Sequence, residues 1–405
     1  MARRHWMTLL KLVLMLGLMA LVFSNVQWDD ALIERSPSGE EREIAGEILG
    51  RWDTPTVRFQ REDETGAPIG EPIEVRPGEG PDGGSTVVSP GFGTYVIGLD
   101  VPLFLGGALC YFVSVLFAST RWWWLMRVNA LRVTWWESVR FTWIGLFFNN
   151  VLPGQTGGDV VKALYIMKHC DGARMPALIS VLVDRVLGLA SLALLGGIVV
   201  LFALDAPDFG VLAASIWGVL GGVALLGVVA FSKRLRRLVQ LDDLLGKLPE
   251  TLSGLLRKVD QAIYFYRGHK GGISVWLALG MVNHAVSVLA VMLIGMAIGV
   301  GMPPFEYFVL VPVITIASAL PVAPNGWGVG EFLFREMFGR FGAPYLEGAG
   351  ASAAFIMGTR GVALSVVYRI HLTLWSLAGG LLVLFEKDRV TRADVEEEIA
   401  LEATE

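Results

Sequence analysis

The chain has 405 residues, 54% of them hydrophobic and only 18% charged, with a mean hydropathy of +0.56 and a formal charge of −5. A soluble chain carries about 45–50% apolar and about 25% charged residues, so this one would leave too much apolar surface in water. Residues 27–95 hold 15 acids and 6 bases, residues 386–405 hold 8 acids and 3 bases, and the remainder holds 24 bases against 15 acids; a basic, apolar body with two acidic appendages excludes a soluble enzyme, a nucleic-acid binder and a disordered chain.

In chain order, Arg3 and Arg4 precede a first apolar run at 7–26. No small-x-small cleavage site follows it in Phe23-Ser24-Asn25-Val26-Gln27-Trp28, so a retained anchor helix is expected. Residues 27–95 are lysine-free and rich in Pro and Gly. Thr56–Gln60, Pro72–Arg76, Thr86–Ser89 and Thr94–Ile97 read as strands, with turns at Pro77–Gly80 and Asp82–Gly84. This segment is either a small β-rich domain, with an envelope protein as partner, or an acidic spacer.

Further runs of spanning length lie near 97–119, 176–204, 210–231, 273–299 and 349–385. The last is either one long helix or two short spans around Arg369-Ile370-His371. Two apolar stretches, 138–168 and 305–341, are interrupted by Pro and Gly. Basic loops follow the second span (Arg121, Arg127, Arg132), precede 176–204 (Lys168, Arg174) and follow 231 (Lys233 to Lys270), whereas the loops at 205–209 and 300–306 carry only acids. The positive-inside rule then puts the N-terminus in the cytoplasm and 27–95 outside the plasma membrane. Residues 233–271 read as a cytoplasmic amphipathic segment. The boundaries so drawn are 1–26, 27–95, 96–232, 233–271, 272–386 and 387–405. Cys110 and Cys170 suggest neither a disulfide nor a metal site.

The two interrupted stretches share a pattern. The first contains Asn150, Pro153, Gly154, Gly157, Gly158 and Asp159; the second contains Pro324, Asn325, Gly326, Gly328, Gly330 and Glu331. Each is an apolar run, a Pro/Asn/Gly turn, then an acid opening a second short apolar run. Each half is too short to cross a bilayer, which predicts two re-entrant hairpins. A base follows in the next span: Asp184-Arg185 begins 25 residues after Asp159, and Arg360 comes 29 after Glu331. The unit repeats near 97–204 and 273–385, and one linking span inverts the second copy. The expected fold class is therefore an all-α polytopic membrane protein. It has about six or seven full spans and two broken-helix hairpins in an inverted repeat, with a small β-rich external insert. Inverted repeats with broken helices are the architecture of alternating-access transporters.

A hairpin tip exposes free N–H groups at the start of the returning helix, a site suited to phosphate, and Arg185 and Arg360 add positive charge. Other readings stand beside this one. Asp159 and Glu331 in first turns also suit the helix dipole without a ligand. Asp184, Arg185 and Arg360 also suit structural pairing with those acids. Asn149, Asn150 and Asn325 suit capping, and His284 a helix–helix bond.

These residues resemble the transmembrane region of lysylphosphatidylglycerol synthases and the related stand-alone flippase-like membrane proteins. The resemblance rests on Arg121-Trp122, on Asn150-Val151-Leu152-Pro153-Gly154 with Gly157-Gly158-Asp159, on Asp184-Arg185, and on Pro324-Asn325-Gly326-Trp327-Gly328-Val329-Gly330-Glu331, in order, over roughly 97–385. It implies movement of an anionic, aminoacylated or polyprenyl-linked lipid head group between leaflets. No aminoacyl-transferase domain follows residue 385, so synthase activity is not carried over. The 27–95 segment has no counterpart in that resemblance. A membrane-embedded enzyme or an accessory subunit of envelope metabolism is the competing reading. Neither HExxH, GxSxG nor a P-loop occurs, and no catalytic residue, metal or cofactor is expected.

Overall fold

The computed structural model describes residues 2–151, 157–170, 174–203, 266–318 and 326–386, with isolated positions between 210 and 221. The expected linking span at 210–231, the amphipathic stretch at 233–271 and the tail at 387–405 fall almost wholly outside the described residues. Helix α1 (Ala2–Phe23) leads into five strands: β1 (Ala31–Arg35), β2 (Glu41–Ile48), β3 (Val57–Glu62), β4 (Pro68–Val75) and β5 (Ser85–Ser89). A short α2 (Phe92–Ile97) precedes α3 (Val101–Val128), α4 (Trp135–Val151), α5 (Gly157–His169) and α6 (Arg174–Val200). Beyond them lie α7 (Lys270–Ala297), α8 (Pro304–Ser318), α9 (Val329–Gly342) and α10 (Ala353–Phe385).

Among the described residues, four helices are long and apolar enough to cross a membrane: α3, α6, α7 and α10. Their exposed residues explain why water is the wrong solvent. On α3 Val101, Leu105 and Leu109 are exposed, and on α10 Ile370, Leu374, Leu377, Leu381 and Leu384. Spacings of three and four place each set along one helix face, an apolar stripe that lipid covers. The chain is a multi-pass membrane protein. α10 is continuous over 33 residues, which resolves the 349–385 alternative in favour of one helix.

The chain folds as two compact units: residues 1–110 with 288–371, and residues 111–287 with 372–405. In the first, the five strands form an antiparallel sheet of order β4-β3-β2-β1-β5. Successive residues of β1 point to opposite faces. Leu32 packs with Ile48, Val57, Phe59, Val75 and Val88, whereas Ile33 and Val87 turn to Ala349, Ala353 and Ile356 at the start of α10. The sheet is therefore seated on the α9–α10 connection. Glu41 accepts hydrogen bonds from Ala351 N–H and the Ser352 hydroxyl (2.8 Å each), and the Ser85 hydroxyl donates to Gly348 O (3.1 Å). The outer edge strand, β4, carries Pro68 and Pro72, which blunt it against further pairing.

Two strand expectations change. Thr94–Ile97 is helical, in α2. Asp30 draws this segment into a turn, since Gly91 N–H and the Thr94 hydroxyl both donate to its Oδ1 (2.7 Å each) and Tyr95 is fully buried. β-Branched residues favour a strand only where neighbouring strands can receive them, and tertiary contacts decide otherwise here. β1 and β2 are additional strands that the sequence pattern did not mark.

In the second unit, α5 is enclosed by α3, α4 and α6. Its Val161, Tyr165 and Ile166 share a core with Trp122, Met126, Phe141, Ile144, Ala177 and Val181. α4 and α5 approach so closely that a Cβ added at Gly158 would lie 2.0 Å from Gly145 O. Glycine at these crossing points is what permits the contact.

Candidate head-group sites

Each unit holds one pair of short helices, α4/α5 in one and α8/α9 in the other. In both, an acid occupies the third residue of the second helix and meets an arginine of the long helix that follows. Asp159 of α5 pairs with Arg185 of α6 (Oδ2 to Nε, 3.0 Å). Glu331 of α9 pairs with Arg369 of α10 (Oε1 to Nε, 2.5 Å).

Around Asp159 the geometry is built from α3 to α6. Gly158 N–H donates to Asn149 Oδ1 (2.9 Å), so a side chain of α4 caps the first turn of α5. Gly157 opens that turn. Asn150, next to last in α4, is exposed. Asp184, adjacent to Arg185, points elsewhere: its Oδ1 accepts from Arg121 Nε at 2.7 Å, and its Oδ2 lies 3.9 Å from Lys162 Nζ. Arg121 passes close to Gly188, where a side chain would crowd it. His284 Nε2 bonds Gly188 O at 2.9 Å, a bond between α7 and α6.

Around Glu331 the backbone is tighter. Gly326 and Gly328 have φ of +67° and +79°, which only glycine adopts without strain. Glu331 has no exposed surface, and its Oε2 accepts from Gly328 N–H at 2.7 Å, capping α9. Arg369 also donates to Gly326 O (3.3 Å) and lies over the Trp327 ring, 4.3 Å from its centroid. A side chain at Gly330 would meet Arg369 at 3.0 Å. The acid, the turn and the arginine form one assembly.

Arg360 is not part of it. Its Nε donates to the Tyr95 hydroxyl (3.1 Å), its Nη1 to Val300 O (2.9 Å), and the Trp52 ring lies 5.1 Å away. Of the two readings left open for Arg360, structural pairing with Glu331 does not occur, and Arg369 takes that place. The α9–α10 connection is longer than the α5–α6 one, so equal sequence spacing lands too early on α10. The residues Pro153, Gly154, Pro324 and Asn325 fall outside the described residues.

Sequence reasoning left Arg121, Lys162, Trp122 and Arg369 out of the site. For Lys162 a signal existed: a lone lysine three residues after Asp159 shares its helix face. Among the described residues no cluster of His, Cys, Asp and Glu could hold a metal.

The model of the family described as "Lysylphosphatidylglycerol synthase TM region" matches residues 92–370, a stretch that begins just after β5. A UPF0104 membrane protein of Pyrococcus horikoshii is 24% identical over 259 residues, covering 59% of this chain and 77% of that protein. No solved structure matches the chain.

Proposed function

Because this chain belongs to the lysylphosphatidylglycerol synthase TM region family, we propose that it translocates a phospholipid or lipid-linked head group between leaflets of the plasma membrane. The observation that carries this reading is the repeated acid–arginine pair, Asp159 with Arg185 and Glu331 with Arg369, each at the first turn of a short helix. Ionisable groups inside a membrane body are costly and concentrate on transport pathways. Helix starts with glycine-rich approaches suit a phosphate, and arginine adds charge that stays on at any physiological pH.

On this reading α4/α5 and α8/α9 are re-entrant hairpins in an inverted repeat. The N-terminus is cytoplasmic and the sheet is extracytoplasmic, as the loop charges imply. The protein acts as a transporter and not as an enzyme.

The test is reconstitution into liposomes with a panel of fluorescent phospholipids and polyprenyl phosphates, comparing wild type with Arg185→Ala and Arg369→Ala. Wild type should translocate at least one lipid above empty vesicles, and both variants should lose most of that activity. No translocation of any lipid, or full activity in both variants, would overturn the reading.

A further inference from the structure

Glu306 and Glu331 occupy the same place in successive helices, each the third residue, of α8 and of α9. Their surroundings differ. Glu331 accepts from Gly328 N–H through Oε2 and meets Arg369 through Oε1, so its charge is compensated. Glu306 is only 6% exposed and has neither arrangement. Its Oε1 accepts from the Tyr345 hydroxyl at 2.6 Å. Its Oε2, shut off from water, has no hydrogen-bond partner among the described residues.

No charged side chain among the described residues acts on this carboxyl, and the titratable group against it is Tyr345, in the α9–α10 connection. Arg360 of α10 gives its Nε and Nη1 to the Tyr95 hydroxyl and Val300 O instead. Tyr307, next along α8, turns its hydroxyl to Gly295 of α7. The start of a helix favours a negative charge only modestly, whereas burying a carboxylate without a cation costs far more. With a proton on Oε2 the group is neutral and still accepts from Tyr345 through Oε1. Ionised, it would have to reach water or a cation, and α8 could not keep this packing.

The Tyr345 side chain is 44% exposed, so its hydroxyl joins the buried carboxyl to the surface. Water can protonate that hydroxyl oxygen while the hydroxyl's own proton passes to Oε1. The tyrosine stays neutral, water loses one proton and the carboxylate gains it. Intramembrane carboxyls with such a connection serve as proton carriers in transporters.

We infer that Glu306 binds the coupling proton of transport, taken up through Tyr345 from the sheet's side and released in the alternate packing of α8. The proposal rests on the lipid-transport reading and goes beyond it by naming the ion whose gradient drives movement.

The test has two parts, both on the full chain. Infrared difference spectra in detergent at neutral pH compare wild type with Tyr345→Phe, which removes only the hydroxyl. The lost hydrogen bond should shift the C=O stretch of a protonated carboxyl. A shift in carboxylate bands instead shows Glu306 ionised and overturns the proposal, and this measurement leaves Glu306 itself intact. In liposomes with the same lipid panel, a pH gradient, acid on the sheet's side, should speed wild-type translocation several-fold, and a protonophore should abolish the gain. Glu306→Gln, which fixes the neutral form, should lose the response to the gradient. A folded Glu306→Gln that still responds overturns Glu306 as the carrier. Wild-type translocation that ignores the pH gradient, or follows a sodium gradient instead, overturns the proposal and leaves the transport reading standing. No translocation of any lipid overturns the transport reading and the coupling with it.

Discussion

Glu331 divides its two carboxylate oxygens between a neighbour in sequence and one 38 residues away: Oε2 accepts from Gly328 N–H at 2.7 Å, and Oε1 meets Arg369 Nε at 2.5 Å. One side chain thus shapes the turn before α9 and binds α9 to α10.

Breaking this pair should be costly on either side, because the remaining charge is left buried without a partner. Glu331→Gln and Arg369→Gln should each lower stability by about 3–5 kcal/mol. The double variant should recover part of that loss. Thermal unfolding of the detergent-solubilised chain measures both effects, and single variants as stable as wild type would contradict them.

The α4–α5 contact gives a second expectation. An alanine Cβ at position 158 would meet the carbonyl oxygen of Gly145 at 2.0 Å, a backbone atom that cannot swing aside. Gly158→Ala should force the helices apart at a cost of about 1–3 kcal/mol or more. Asn149→Ala, which removes only the cap to Gly158 N–H, should cost about 1 kcal/mol. Equal effects from the two substitutions would argue against the close crossing.

The seating of the sheet should depend on pH. The Ser352 hydroxyl and then the Ala351 N–H hold the Glu41 carboxyl below its ordinary value of 4.5. A lowered folded-state pKa contributes stability that is fully present above the unfolded value and lost as pH falls through the folded one. Protection of the Ala351 amide from hydrogen exchange, taken relative to its intrinsic rate at each pH, should therefore be high at neutral pH and fall progressively below about pH 4.5. Glu41→Gln should remove that dependence; the same acid response in this variant would place the cause elsewhere.

Trp52, in the β2–β3 connection, should be the sheet's anchor to Arg360. Trp52→Ala should lower stability by about 1–2 kcal/mol, part of it the lost contact between ring and cation. In an Arg360→Met background the same truncation should cost less. Equal costs in the two backgrounds, by thermal unfolding, would show that ring and guanidinium do not interact.

The helical body was largely legible in the sequence because a bilayer demands long apolar runs, and α3, α6, α7 and α10 have them. The division of each interrupted stretch into two helices, α4 and α5 and then α8 and α9, was legible from Pro and Gly, and the acids Asp159 and Glu331 from their place near the start of the second helix. β2 was not legible: Glu41–Ile48 carries four charged residues in eight and lacks a sustained apolar alternation. It is held in the sheet by β1 on one side and β3 on the other. Arg369 was missed because spacing in sequence ignores the length of the connection before α10. Lys162 was missed because its approach to Asp184 depends on how α5 packs against α6.

Helix α10 has one further consequence. At 1.5 Å per residue its 33 residues extend about 50 Å, well beyond a hydrocarbon core of about 30 Å. Ala353 and Ile356 near its start touch Ile33 and Val87 of the sheet, and Arg369 sits about 24 Å further along the same uninterrupted rod. Sheet and ion pair are thus two grips on a single lever with no joint between them. A displacement of α10 at the sheet therefore moves Arg369, the partner of Glu331, with it.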